Sequence, residues 1–386
     1  MKHRNCCSKL LNFIYTSLAF LCFCSVTHAQ FLTIDLLGDK KEIELPMKYE
    51  QGFIIVKVFL DGVIPLNMIF DTGAENTVIF DRIMFDLLDI PLNETVQILG
   101  ADRNSYELGH IARRVPLQFE KGQKTAMDLI VLDDLDLELN NLIGEDIDGI
   151  LGANFLLGAV VQIDYVGKVL RIIRPDFFKK PWRFKKQDIS IVRQRPFIEA
   201  KICLKDSEPV DINLLLDTGA SIHMLIDEYS HPDLIMPDTV IDGRIGTGLG
   251  GELGGFLGTI DQIDFLDYRF RELTVYFQKT DSIALANDYV LNSRNGIIGN
   301  IFWERNKLII DYNESKLYYR SRKRMDKPYR FNRSGLVVFA VGHELDEYIV
   351  KQVFEGSAAA EAGVQAGDVI RRINWVPHLT LNNCCD

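Results

Sequence analysis

Two aspartates in identical surroundings, Asp71-Thr72-Gly73-Ala74 and Asp217-Thr218-Gly219-Ala220, are the residues of this chain best suited to chemistry. Each follows an apolar run, Leu66-Asn67-Met68-Ile69-Phe70 in one case and Ile212-Asn213-Leu214-Leu215-Leu216 in the other. Each carboxylate therefore emerges where a buried strand turns. An ionised carboxylate placed there without a partner is penalised enough that it would sooner take up a proton, and two brought together would share one. Such a pair is an acid and a base side by side.

The elements around each aspartate repeat with it. Gly149-Ile150-Leu151-Gly152 ends 81 residues past Asp71, and Gly296-Ile297-Ile298-Gly299 ends 82 past Asp217. Gly100 and Gly246 each lie 29 residues past their aspartate, and Ile163-Asp164-Tyr165 and Ile310-Asp311-Tyr312 each place an acid 12 past the later glycine. A lone Asp-Thr-Gly is a weak signal, since such tripeptides commonly mark turns and caps. Two copies at matched offsets in one long repeat are a strong one.

On these motifs the chain resembles the aspartic proteases over roughly residues 45–320, specifically the bilobal pepsin-like kind with retropepsin-like sequence in each lobe. The stretch Ile298 to Lys316 is similar to the end of a pepsin C-terminal lobe. The resemblance implies a mostly β fold of two pseudo-two-fold-related, six-stranded-type β-barrel lobes, with Asp71 and Asp217 catalytic. It also implies that Thr72 and Thr218 interlock by their hydroxyls and that Gly73, Ala74, Gly219 and Ala220 support the carboxylates. The apolar-apolar-Gly motifs would pack beneath. Where pepsins often carry a hydroxyl residue, Ala74 and Ala220 remove a donor to the pair, which predicts raised pKa values and a pH optimum nearer neutral than that of pepsin.

Local patterns fit a β architecture. Phe53-Ile54-Ile55-Val56-Lys57-Val58 followed by Asp61-Gly62 reads as a hairpin leading to Asp71, and Phe197 to Ile202 does the same for Asp217. Short helices are expected near Asp81 to Leu88 and Ala153 to Leu157. The turn-rich tip from Leu99 to Tyr106 suits a hairpin flap, with Gly100 and Tyr106 as candidates to close over a substrate. Its counterpart, Gly246-Thr247-Gly248-Leu249-Gly250-Gly251, matches the dinucleotide pattern G-x-G-x-x-G. More glycines and another strand-like segment follow it instead of a helix, so a mobile glycine-rich hairpin, with Gly246 and Gly248 facing the cleft, is the better reading.

From about Lys327 the composition changes. Ser334-Gly335-Leu336-Val337-Val338 together with the stretch from Gly356 to Ile370 resembles a bacterial-type PDZ domain. That resemblance implies addition of an extended peptide as a strand, with the loop of Gly335, Leu336 and Val337 holding a terminal carboxylate. The segment is expected to be a truncated PDZ-like domain. The implied organisation is a secretory signal over 1–29, an N-terminal lobe over 45–175, a basic linker over 176–195, a C-terminal lobe over 196–322 and the PDZ-like segment over 328–386.

Composition sets the class. With 47% hydrophobic and 25% charged residues among 386, the chain is globular and long enough for two or three cores. Its net charge of −11 disfavours nucleic acid as a main partner. A basic start, an apolar run from Leu10 to Val26 and Thr27-His28-Ala29 fit a cleaved signal, hence a secreted or periplasmic protein with no stable membrane span afterwards. Only Cys203, Cys384 and Cys385 follow that segment, and the seven histidines are scattered, so neither a disulfide framework nor a metal site is expected. His223 is expected to serve structure rather than catalysis. No cofactor is implied, and the expected partner is a polypeptide substrate, with peptide C-termini at the PDZ-like segment. Only about 20 residues separate Gln30 from the first strand, which leaves no long basic pro-segment of the pepsin kind. The competing readings are a non-catalytic peptide-binding module and, on Gly246 to Gly251 alone, a nucleotide-dependent enzyme.

Overall fold

The structure, a computed structural model, describes residues 37–377 apart from 101–105, 120–123, 134–137, 157, 205–206, 229, 249–250, 279–293, 323–324, 326–328, 330–331, 333 and 375. The expected signal segment, Cys384 and Cys385 lie outside the described residues.

The fold is mostly β, as the alternation of the sequence requires. Strand Glu42–Glu50 buries Ile43, Leu45 and Met47 and exposes the residues between them, whereas Phe53–Leu60 is apolar and buried on nearly every residue because both of its faces are covered. Phe53–Leu60 pairs antiparallel with Ile64–Phe70, with Ile55 opposite Ile69. The turn between them carries Asp61 at φ 50° and Gly62 at φ 75°, the left-handed pair that matches strand twist in a tight hairpin. The second half repeats this with Arg195–Cys203 and Val210–Leu216, where Phe197 faces Leu215. Each aspartate is thus carried off the end of a buried hairpin strand.

Each of those strands has the apolar-apolar-Gly motif as its parallel neighbour. Met68 to Phe70 run beside Gly149 to Leu151, and Leu214 to Leu216 run beside Gly296 to Ile298. The expected helices also form, as Ile83–Leu87 and a 3-10 turn at Ala153–Leu156.

The two halves are joined more closely than a repeat of separate lobes would suggest. An eight-stranded sheet belongs to the second half, but Asn306–Asp311 and Lys316–Ser321 from that half enter a thirteen-stranded sheet with the strands of the first. Leu308 pairs with Ile163 there, and one apolar core runs from Val56 and Phe70 through to Leu216 and Trp303. Within 176–195, Lys185–Asp188 pairs with Lys316–Ser321, and Ser190–Val192 pairs with Arg195–Cys203. Those two short strands tie the connection to both sheets.

Two further hairpins bring Leu99, Gly100, Gly246 and Gly248 to the cavity that Asp71 and Asp217 line. Leu92–Leu99 and Tyr106–Phe119 pair with Leu99 opposite Tyr106, while Val240–Gly248 and Gly251–Phe265 pair with Gly248 opposite Gly251. The glycine-rich stretch is therefore an antiparallel hairpin that leads into a further strand, which excludes the strand–turn–helix context of a dinucleotide site. After the second half, Leu336–Val341 and Glu347–Val353 form a small antiparallel pair, followed by the helix Ala358–Glu361, capped by the Ser357 hydroxyl, which accepts from Ala360 N–H at 3.2 Å.

Candidate active site

Asp71 and Asp217 sit on the floor of one cavity of about 2210 Å³. Their backbones are fixed identically, since Asp71 N–H donates to Leu151 C=O and Asp217 N–H to Ile298 C=O, each at 3.0 Å. The threonines that follow are fully buried and cross-linked. Thr72 Oγ1 donates to Leu216 C=O at 2.7 Å and accepts Thr218 N–H at 3.1 Å. Thr218 Oγ1 donates to Phe70 C=O at 2.9 Å and accepts Thr72 N–H at 3.0 Å. Four hydrogen bonds thereby close a ring between the halves directly beneath the carboxylates.

Gly73 and Gly219 make the approach of the carboxylates possible. A Cβ on Gly73 would lie 2.5 Å from Asp217 Cγ, and one on Gly219 would lie 2.3 Å from Asp71 Cγ. Each carboxylate therefore packs on the glycine of the opposite motif, where no side chain fits. Gly73 N–H and Ala74 N–H donate to Asp71 Oδ1 at 2.6 and 3.1 Å, and Gly219 N–H donates to Asp217 Oδ1 at 2.8 Å. The alanines contribute backbone donors where a hydroxyl would have added a side-chain donor.

Electrostatics separate the two acids. Although both touch the cavity, loss of hydration is the largest influence on each and raises both pKa values. Asp71 is raised well above the ordinary carboxylate value, by burial first and then by the negative charge of Asp217. In Asp217 the rise is opposed by a hydrogen bond from Asp71, by backbone donors and by the Arg294 guanidinium. Burial and mutual repulsion therefore favour a single shared proton on the pair, with the Arg294 cation acting on the Asp217 side.

The remaining predicted residues divide. Gly100, Gly246 and Gly248 line the same cavity, as do Gly335, Leu336 and Val337 of the C-terminal segment. Tyr106 begins its strand beside the flap tip, and the tip residues 101–105 lie outside the described residues. In the C-terminal loop, Gly335 has φ 75°, and its N–H donates to Asn332 Oδ1 at 3.2 Å, while Leu336 N–H donates to Ser334 Oγ at 3.2 Å. Two of the three residues expected to hold a carboxylate, Gly335 and Leu336, thus have their N–H groups engaged within the loop. His223 is buried, its Nε2 in contact with Thr274 C=O and its ring stacked on Tyr329 at 5.2 Å, and burial depresses its pKa. Among the described residues no group of His, Cys, Asp or Glu is placed to hold a metal, and no helix is long and apolar enough to cross a membrane.

Sequence reasoning missed a second layer. Tyr165 Oη donates to Asn300 Oδ1 at 2.6 Å, and Asn300 Nδ2 donates to Thr218 C=O, bracing the second motif from the first half. Arg294 also lines the cavity, with its Nε and Nη2 donating to the two oxygens of buried Asp227 at 2.9 and 3.1 Å. The repeat held a signal for the first of these, since Asn300 stands where the first copy has Ala153.

The aspartyl protease family matches residues 56–155 and the PDZ domain family matches residues 349–385. The chain is similar to the solved structure of an aspartic proteinase from Irpex lacteus at 12% identity and TM-score 0.43, covering 75% of this chain and 100% of that one. No curated protein matches it in sequence. Residues 56–155 are thus similar to aspartyl proteases and residues 349–385 to PDZ domains.

Proposed function

We propose that the chain is an aspartic endopeptidase whose catalytic pair is Asp71 and Asp217. The observation that carries this reading is the mutual packing of each carboxylate on the opposite glycine, which forces two acids into one site. Ionised Asp217 takes a proton from a water between the two groups, and the water oxygen attacks the carbon of the scissile carbonyl. Asp71 donates its proton to the carbonyl oxygen, giving a tetrahedral diol. Collapse of the diol breaks the C–N bond as the amine nitrogen receives a proton from the pair. Acid–base work contributes about 10²–10⁴-fold, so positioning by the hairpins above the pair must supply much of the rest. The substrate is an extended polypeptide, and the N-terminal sequence supports secreted or periplasmic localisation.

Cleavage of a mixed peptide library between pH 3 and 8 tests this, using the wild-type chain, Asp71→Asn and Asp217→Asn, with and without a statine-type inhibitor. Cleavage should fall by about 10²–10⁴-fold in both variants and stop with inhibitor. Peptide binding by the folded wild-type protein without cleavage at any pH would sink the enzyme reading in favour of a peptide-binding module.

A further inference from the structure

The two halves differ at one structurally equivalent pair of positions behind the aspartates. In the first half, Val78 pairs with Ile150, Ile79 with Gly149, and Phe80 N–H donates to Asp148 C=O at 2.9 Å. In the second, Leu225 pairs with Ile297, Ile226 with Gly296, and Asp227 N–H donates to Asn295 C=O at 2.9 Å. Asp148 and Asn295 also match, since each accepts a backbone N–H, from Asn67 at 2.7 Å and Asn213 at 2.8 Å. By this register Phe80 corresponds to Asp227, and Ile147 corresponds to Arg294. Phe80 and Ile147 are buried in one apolar cluster. The same place in the second half holds an ion pair whose side chains are 0% and 11% exposed.

Such a replacement is costly unless the charges serve a purpose, because a buried ion pair is often no more stable than an apolar pair of similar volume. The orientation indicates the purpose. Asp227 is fully buried, while Arg294 reaches the wall of the cavity that holds Asp217, so the positive end of the pair faces the site. We infer that Arg294 is a positioning residue whose guanidinium, clamped by Asp227, keeps the negative charge of the catalytic pair on Asp217 and thereby makes Asp71 the acid. This rests on the endopeptidase reading for its consequence, not for its physics.

The surrounding charges favour Arg294 as the source of the asymmetry. Asp71 faces Asp217 across the site, and Tyr312 lies toward Asp71, whose charge raises its pKa further after burial. Glu75 and Arg193, paired with one another at 2.8 Å, also line the cavity, as do Glu50 and Arg195. Arg294 opposes the rise of the Asp217 pKa. At the equivalent place in the first half stands Ile147, which is neutral.

Titration of the two carboxyls by carbon-13 NMR on the full chain tests the inference. The variants are Arg294→Lys, which keeps the cation, Arg294→Met, which removes it, and Asp227→Phe/Arg294→Ile, which installs the first half's apolar pair. Losing the cation should raise the lower pKa of the pair by about one unit in the double variant and by at least as much in Arg294→Met, which leaves Asp227 unpaired, with Arg294→Lys close to wild type. For cleavage, the acid limb of the kcat/KM profile should move to higher pH by the same amount. A merely structural role would give the apolar double variant a wild-type titration, which would overturn the inference, as would an equal shift in Arg294→Lys. The double variant decides the matter, and if it does not fold, the contrast between Arg294→Lys and Arg294→Met does, since both keep Asp227 and only one keeps the cation. The NMR readout stands even if the chain cleaves nothing, so absence of proteolysis refutes the endopeptidase reading alone.

Discussion

The first and second halves of this chain carry the same four residues at the site and different residues behind it. At the site, symmetry is nearly complete: threonine answers threonine, and each aspartate lies on the other's glycine. One layer back, Phe80 and Ile147 give way to Asp227 and Arg294, and Ala153 gives way to Asn300. Symmetry brings two acids together, and on the proposed reading the broken symmetry gives them different jobs. A pair with identical surroundings would have no preference for which member holds the proton.

The strongest way to break the comparison is at the glycines. Gly73→Ala and Gly219→Ala should each lower kcat/KM by at least about 10²-fold, because the added methyl must displace the opposite carboxylate. Steady-state kinetics on the two variants would test the symmetry, and wild-type rates in either would contradict the packing.

A smaller effect is expected at the threonines. Thr72→Val and Thr218→Val each strand one buried N–H and one buried C=O of the opposite motif, which costs about 1–3 kcal/mol per group. Urea unfolding should give similar losses for the two. A difference above about 2 kcal/mol would mean that one half carries the contact.

The smallest effect sharpens the asymmetry. Tyr165 Oη donates to Asn300, whereas the buried Tyr312 hydroxyl has no hydrogen-bond partner among the described residues. Tyr165→Phe should therefore lower stability by about 1 kcal/mol, while Tyr312→Phe should leave it unchanged or raise it. Thermal melts of the two variants give the answer, and equal losses would remove the distinction.

What the sequence made legible was whatever repeats or alternates. The hairpins and the short helix at Ile83–Leu87 follow from local periodicity, and the recurrence of the apolar-apolar-Gly motifs follows from the offsets between copies, whereas their parallel pairing with the aspartate strands is seen only in the structure. Arg294 was hidden for a physical reason. Counting from the aspartates equates Asp227 with Asp81, but the strand register equates it with Phe80, so a one-residue slip conceals the contrast. The entry of Asn306–Asp311 into the first half's sheet was equally invisible, since Leu308 and Ile163 are far apart in sequence and nothing local names an edge partner. The seating of the PDZ segment is also long-range. It rests partly on an ion pair between Lys351 and Glu138 and on packing of Leu336–Val341 near the helix Leu139–Ile143, two contacts between residues that no motif links.

The pH dependence of kcat/KM tests the central claim, that Asp71 and Asp217 share one proton in a buried site. Burial raises both pKa values, so the active form, with one proton on the pair, should persist to higher pH than for two ordinary carboxyls. The profile should be bell-shaped, falling on the acid side as Asp217 is protonated and on the alkaline side as Asp71 loses its proton. Its maximum should lie above the ordinary carboxylate range near pH 4, well clear of pH 2. A maximum near pH 2, or a bell that survives in Asp217→Asn, would contradict the account.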